Sequence, residues 1–101
     1  MAEGYEPIPL FDTGWVTVST YAKYRVIGNV VTFVVDSLTF STQPSNPFTF
    51  QAVPSRYAPI INIEYSPVSG QTFTLSNTGY CYCWSFDTSH TYNWTVTYIC
   101  K

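Results

Sequence analysis

The sequence contains little charge. Of its 101 residues, four are Lys or Arg and six are Asp or Glu, so charged residues make up 10% of the chain. The usual share is about 25%. The basic residues Lys23, Arg25, Arg56 and Lys101 form no cluster along the chain. Because a nucleic-acid interface needs a clustered basic surface, we expect no nucleic-acid partner. A surface of hydroxyl and amide side chains suits a saccharide or a protein better.

Long apolar runs are also missing. No stretch approaches the ~20 apolar residues that span a bilayer. The N-terminal residues are acidic and lack the apolar segment of a secretory leader. The sequence therefore predicts no membrane insertion and synthesis in a cytosol.

Residues that carry catalysis or bind metals are scarce. Cys81, Cys83 and Cys100 are an odd number of cysteines, and with a single histidine they make a poor zinc set, so we expect small, partly buried thiols. His90 follows Asp87 closely, but the members of a Ser-His-Asp triad come from distant segments. The carboxylates are scattered, and the chain has no phosphate-binding glycine motif or calcium loop. We expect a protein that is not an enzyme and uses no cofactor.

The strongest positive signal is a β-hairpin over residues 24–35. Two β-branched, apolar segments flank the dipeptide Gly28-Asn29. Glycine at the first turn position takes a positive φ without a Cβ clash, which predicts a type II′ turn. The second segment is apolar on both faces, with Val30 and Val34 on the side away from the core. A single small sandwich has one core, so these two valines are either candidate oligomer-interface residues or lie beneath a covering arm.

The rest of the chain is typical of an all-β domain. Alternating segments cover residues 15–21, 48–52, 60–65, 71–76, 80–87 and 92–98. About eight short strands and no helical periodicity predict an antiparallel β-sandwich, jelly-roll-like, over residues 14–101. Residues 1–13 are predicted to be an extended N-terminal arm.

Two segments are rich in aromatic residues. One face of the first carries Tyr80, Tyr82, Trp84 and Phe86, and one face of the second carries Tyr92, Trp94, Val96 and Tyr98. We expect these strands to pair through an aromatic ladder.

Saccharide binding is the chemistry that the residue types match best. Sugars stack their C–H faces on exposed aromatic rings, and polar side chains bind their hydroxyl groups. The candidates near predicted loops and strand ends are Arg56, Tyr57, Trp84, Asp87, His90 and Tyr92. Trp84 lies on the apolar face of its strand and fits the core better than a binding site, whereas Arg56, Asp87 and His90 are stronger candidates because loops carry binding residues.

The hairpin also resembles a known family. Lys23-Tyr24-Arg25-Val26-Ile27-Gly28-Asn29-Val30-Val31 is similar to a YRKxGNxV stretch in C-terminal domains of tail, baseplate and receptor-binding proteins of phages of Gram-positive bacteria. Trp15 precedes the hairpin, residues 53–59 stand in place of an LPxxYRP turn, and residues 94–98 match a closing aromatic strand. Val26 departs from the pattern, which has a basic residue there.

The resemblance, over residues 15–99, implies a head domain at the tail tip or baseplate of a virion. Such a domain is a homotrimer that binds host cell-wall saccharide beside other tail proteins. Two alternatives stay open: a purely structural tail or capsid-decoration protein without a ligand, and a small carbohydrate-active enzyme.

Overall fold

The computed structural model describes residues 11–101, so the first ten residues of the predicted N-terminal arm lie outside the described part. Within it the chain forms eight β-strands and one short 3₁₀ helix, Ser55–Tyr57. The strands are β1 (Val16–Ser19), β2 (Ala22–Ile27), β3 (Val30–Leu38), β4 (Phe48–Gln51), β5 (Ile63–Val68), β6 (Gln71–Leu75), β7 (Tyr80–Trp84) and β8 (Tyr92–Ile99).

The predicted hairpin is formed by β2 and β3. Ile27 lies opposite Val30, so Gly28 and Asn29 are the two turn residues. Gly28 has a φ of 62°, whereas Asn29 is outside the left-handed region. This combination fits a type II′ turn and not a type I′ turn, which needs a positive φ at both positions. The hairpin prediction is confirmed.

The strands form two four-stranded antiparallel sheets. Their orders are β1-β2-β3-β8 and β4-β7-β6-β5, and the chain changes sheet between β3 and β4 and between β7 and β8. The inner faces of both sheets supply one buried cluster, so the predicted β-sandwich is confirmed. The jelly-roll connectivity is not confirmed, because each sheet contains three successive strands joined as neighbours.

The core is built from aromatic and β-branched side chains of both sheets. Phe33 of β3 stacks on Phe73 of β6, with ring centroids 6.2 Å apart. Trp94 of β8 packs against the same Phe73 ring at 4.9 Å. Large aromatic side chains contribute most of the buried area in a domain of this size, so these contacts across the two layers hold the sheets together.

The aromatic face of β7 is its outer face, so the expectation of a core position for Trp84 is wrong. Cys81 and Cys83 are fully buried, more deeply than the partly buried thiols that the sequence predicts, whereas Tyr80 is 41% and Trp84 45% exposed. The predicted pairing of β7 with β8 is also wrong, because β7 lies between β4 and β6 and β8 joins the other sheet beside β3. The two faces of β7 are similarly hydrophobic, so only packing against the opposite sheet determines which face is buried.

The strand predicted over residues 60–65 begins later. β5 runs from Ile63 to Val68, and only Ser69 and Gly70 form the turn to β6. Ile60 and Ile61 precede the strand and are 63% and 74% exposed. They therefore belong to the surface and not to the core.

Residues 11–13 pair with the first sheet. The Thr13 N–H donates to the Val26 carbonyl at 3.0 Å, and the Gly28 N–H donates to the Phe11 carbonyl at 2.6 Å. The Arg25 guanidinium donates two hydrogen bonds to the Asp12 carboxylate, at 3.0 and 2.7 Å. This part of the predicted arm thus extends the edge of the sheet next to β2.

Candidate functional site

The connection from β7 to β8 folds around one carboxylate. Ser85 has a φ of 65°, which ends β7 and turns Phe86 into the core. Asp87 Oδ1 then accepts hydrogen bonds from the Ser89 N–H at 3.0 Å and the Ser89 hydroxyl at 2.9 Å. His90 Nδ1 lies 2.8 Å from the same oxygen. Two of the predicted site residues, Asp87 and His90, are therefore in direct contact.

Two residues from the sheets complete this loop cluster. The Gln71 amide donates to Asp87 Oδ2 at 2.9 Å. The Tyr92 hydroxyl donates to Gln71 Oε1 at 2.7 Å and accepts the Asp87 N–H at 2.9 Å. Gln71 was not among the candidates, because it precedes Asp87 by 16 residues and no local pattern links the two.

The loop cluster favours the charged form of its carboxylate. Hydrogen bonds from His90, from Ser89 and from Gln71 hold the pKa of Asp87 well below its usual range. Both Asp87 oxygens already accept hydrogen bonds from this chain. A saccharide hydroxyl would have to displace one of these bonds, so the carboxylate chiefly organises its own loop.

The cluster does not have the geometry of a nucleophilic triad. Ser89 Oγ and Asp87 Oδ1 both approach the same ring atom, His90 Nδ1, at 3.1 and 2.8 Å. In a Ser-His-Asp triad the serine and the carboxylate bind different nitrogens of the imidazole. The contacts fit a loop-closing role better than activation of the serine.

Tyr92 lies in the core. Its side chain is 1% exposed, and its ring stacks on Phe86 with centroids 4.0 Å apart. The expected stacking of this ring on a saccharide therefore does not fit its position. The hydroxyl of Tyr92 binds within the loop cluster, and its ring centroid lies 5.8 Å from that of the His90 ring.

Arg56 and Tyr57 lie at the other end of the sandwich. The Tyr98 hydroxyl donates to the Tyr57 carbonyl at 2.8 Å. Tyr98 is six residues from Tyr92 along β8, a span of about 20 Å. The Arg56 guanidinium lies 4.7 Å from the centroid of the Tyr57 ring, and Tyr57 also packs near Tyr24. The six candidates thus fall into two separate groups.

Trp84 lies on the outer face of the second sheet, at its end nearest the loop cluster. It pairs with Thr72, which follows Gln71 in the chain. With 45% of its surface exposed, Trp84 is not a core residue, and that alternative is wrong. Of the candidates it is the one aromatic ring in the described part that is open on a flat sheet face.

The two candidate interface valines differ in their surroundings. Val30 lies between Ile27 and Ile99 on the outer face of the first sheet, and all three are exposed. Val34 is half-buried and lies opposite Lys23 on β2. Only Val30 belongs to a continuous apolar surface.

Metal ligands, membrane-spanning helices and known relatives are three possible indications of function. Within residues 11–101, no three His, Cys, Asp or Glu side chains lie close enough to share a metal ion. The same residues include no helix with the length and apolarity needed to cross a membrane. Comparison with protein-family models, with curated proteins and with solved structures finds no match. Function is therefore inferred from the surface of the chain.

Proposed function

We propose that this chain is a non-enzymatic head domain of a phage tail or baseplate that attaches the virion, as a homotrimer, to host cell-surface carbohydrate. The observation that carries the proposal is the exposed ring of Trp84 on a surface with very little charge. An indole face packs well against the C–H groups of a sugar ring. The assignment to a phage tail comes from the resemblance of residues 15–99.

The trimer is supported by an exposed aliphatic surface, here called the aliphatic corner. Its members are Ile27, Val30, Ile60, Ile61 and Ile99, all exposed. Ile27, Val30 and Ile99 are neighbours across three strands, and Ile60, Ile61 and Ile99 line one open hollow. Contiguous exposed apolar side chains mark protein interfaces, and the number of three copies follows the resemblance.

The proposal is tested on the purified full chain. Light scattering measures its mass, and sedimentation with Gram-positive cells and with their isolated wall polysaccharide measures binding. We expect three times the chain mass and retention on the polysaccharide. A monomer that stays in the supernatant with cells and polysaccharide alike would exclude the proposal.

A structural virion protein is the second candidate. The aliphatic corner favours it, because an assembly contact needs an apolar surface and no ligand. This alternative predicts self-association without saccharide affinity, and host adsorption that is unchanged in Trp84→Ala. A carbohydrate-active enzyme would instead release sugar from the polysaccharide, and Asp87→Asn would abolish the release.

A further inference from the structure

The outer face of the second sheet carries a row of aromatic side chains. Tyr80, Tyr82 and Trp84 alternate along β7 with the buried Cys81 and Cys83 and therefore point to the same side. Two of the three rings, those of Tyr80 and Trp84, are more than two-fifths exposed. Alternate residues of a strand are about 7 Å apart, so the row is about 13 Å long. We call Tyr80, Tyr82 and Trp84 the aromatic strip.

Hydroxyl and amide side chains border the strip on both sides. On β4, Gln51 pairs with Tyr80 and Thr49 with Tyr82. On β6, Thr74 pairs with Tyr82 and Thr72 with Trp84. Directly opposed side chains have Cβ atoms about 5 Å apart. Each ring therefore has a neutral hydrogen-bonding group beside it, within reach of a molecule lying on the ring.

The charge of this face selects among possible ligands. Glu64 on β5 is the one charged residue in the four strands of this sheet. An anionic ligand would find no cation on these strands, and a cationic one would find a single carboxylate. The face therefore suits a neutral molecule with apolar faces and many hydroxyl groups.

The two exposed apolar surfaces defined above, the aliphatic corner and the aromatic strip, differ in their chemistry. The aliphatic corner has branched alkyl side chains, whose apolar surface fits a second protein surface. The aromatic strip has flat rings with threonine hydroxyls beside them on the neighbouring strands, and two of its rings carry their own hydroxyl. Rings that offer both an apolar face and a polar edge match a pyranose, which has C–H groups on its faces and hydroxyls around its rim.

We propose that the aromatic strip is the saccharide site and that its ligand is an extended, neutral glycan lying along β7. Sugar rings stack on Tyr80, Tyr82 and Trp84, and Thr49, Gln51, Thr72 and Thr74 bind their hydroxyls. The inference rests on the proposed function and moves the site from the Asp87–His90 loop to the sheet. The loop holds Asp87 in place beside one end of the strip, and binding of the sugar does not require a contact with the loop.

The experiment is calorimetric titration with a panel of neutral oligosaccharides and neutral wall polysaccharide, with lipoteichoic acid as the anionic probe. Trp84→Ala and Tyr82→Ala are the strip variants. Trp15→Ala is the matched control, because Trp15 is also about half exposed but precedes β1 in the other sheet. Asp87→Asn tests the loop, and thermal melts check that every variant is folded.

We expect neutral glycans to bind and each strip variant to weaken binding about tenfold or more, as truncation of a central aromatic contact does. Trp15→Ala and folded Asp87→Asn should bind like the parent. Unchanged binding in both strip variants, or equal losses in Trp84→Ala and Trp15→Ala, overturns the strip as the site but leaves the proposed function standing. A preference for lipoteichoic acid overturns the neutral ligand. Failure to bind any probe and any host cell overturns the proposed function itself.

Discussion

Among Gly14, Gly70 and Gly79, an added methyl group should cost most at Gly79. It lies in the turn between β6 and β7 with a φ of 94°, in the left-handed region that disfavours other residues. Its carbonyl accepts the N–H groups of Ala52 at 2.8 Å and Val53 at 3.2 Å. A Cβ at Gly79 would also clash with the Val53 carbonyl oxygen. The tight contact joins this turn to the segment that follows β4.

Gly79→Ala should be destabilised by its backbone conformation and by the weakening of two hydrogen bonds. The left-handed conformation costs about 1–2 kcal/mol for a residue with a Cβ. Moving the Val53 backbone to relieve the clash weakens the two hydrogen bonds to Gly79, each of which contributes about 1 kcal/mol. We therefore expect a loss of about 3 kcal/mol in the free energy of unfolding, which corresponds to a fall of about 15 °C in the melting temperature for a domain of this size.

Gly70→Ala is the matched control. Gly70 has a φ of 79°, but no heavy atom lies within 4 Å of its added Cβ. Only the conformational cost of about 1–2 kcal/mol applies there. Urea unfolding followed by tryptophan fluorescence gives both values from the midpoints and slopes. Equal losses in the two variants would refute the reasoning, because the contact with Val53 would then contribute nothing.

Three further predictions concern acid, thiols and assembly. Hydrogen bonds from Arg25, and then from the Gly14 N–H, lower the pKa of Asp12 to about 2. A pKa that is lower in the folded state gives stability that is fully present above about pH 4 and is lost as the pH falls towards 2. The urea midpoint of the parent should therefore fall between pH 6 and pH 2.5, and Asp12→Asn should reduce that fall. An undiminished fall in Asp12→Asn would contradict this prediction. Burial raises the pKa of Cys83 to about 12. A disulfide reagent at pH 8 should therefore label this thiol only in denaturant. Fast labelling of Cys83 in the native protein would be inconsistent with its position. Val30→Asp should reduce the mass in solution to that of one chain, whereas Thr95→Asp, on the same face but opposite Val34, should leave it unchanged; a trimer in Val30→Asp would place the interface elsewhere.

The local features of the fold could be predicted from the sequence. The hairpin is decided by Gly28 and its β-branched neighbours within a few residues, because a two-residue turn fixes the register of both strands. The buried face of β3, with Val31, Phe33 and Val35, follows from the same register. The Asp87–His90 contact is local as well, because the two residues are three apart in the chain, but the sequence predicts only that both lie on a loop or at a strand end.

The features that depend on the second layer could not be predicted. Alternation along β7 separates the cysteines from the aromatic rings, but it does not indicate which group faces the core. Aromatic side chains suggested the wrong answer because they usually dominate small cores. The contact of Gln71 with Asp87 joins separate strands and loops, and β7 and β8 change sheet between them, so no local spacing reveals either arrangement.

The placement of the two exposed apolar surfaces has a consequence for binding strength. Ile27, Val30 and Ile99 of the aliphatic corner lie on the outer face of the first sheet and the aromatic strip on the outer face of the second, so copies joined through the corner keep their strips open. The proposed trimer would then present three strips to one polysaccharide, and linking the sites would raise the apparent affinity by about 10² to 10⁴ without any new contact. Val30→Asp should therefore weaken binding to the polymer but not to a short oligosaccharide, whereas Trp84→Ala should weaken both. Equal losses on the two ligands in Val30→Asp would mean that the corner contributes to the site itself.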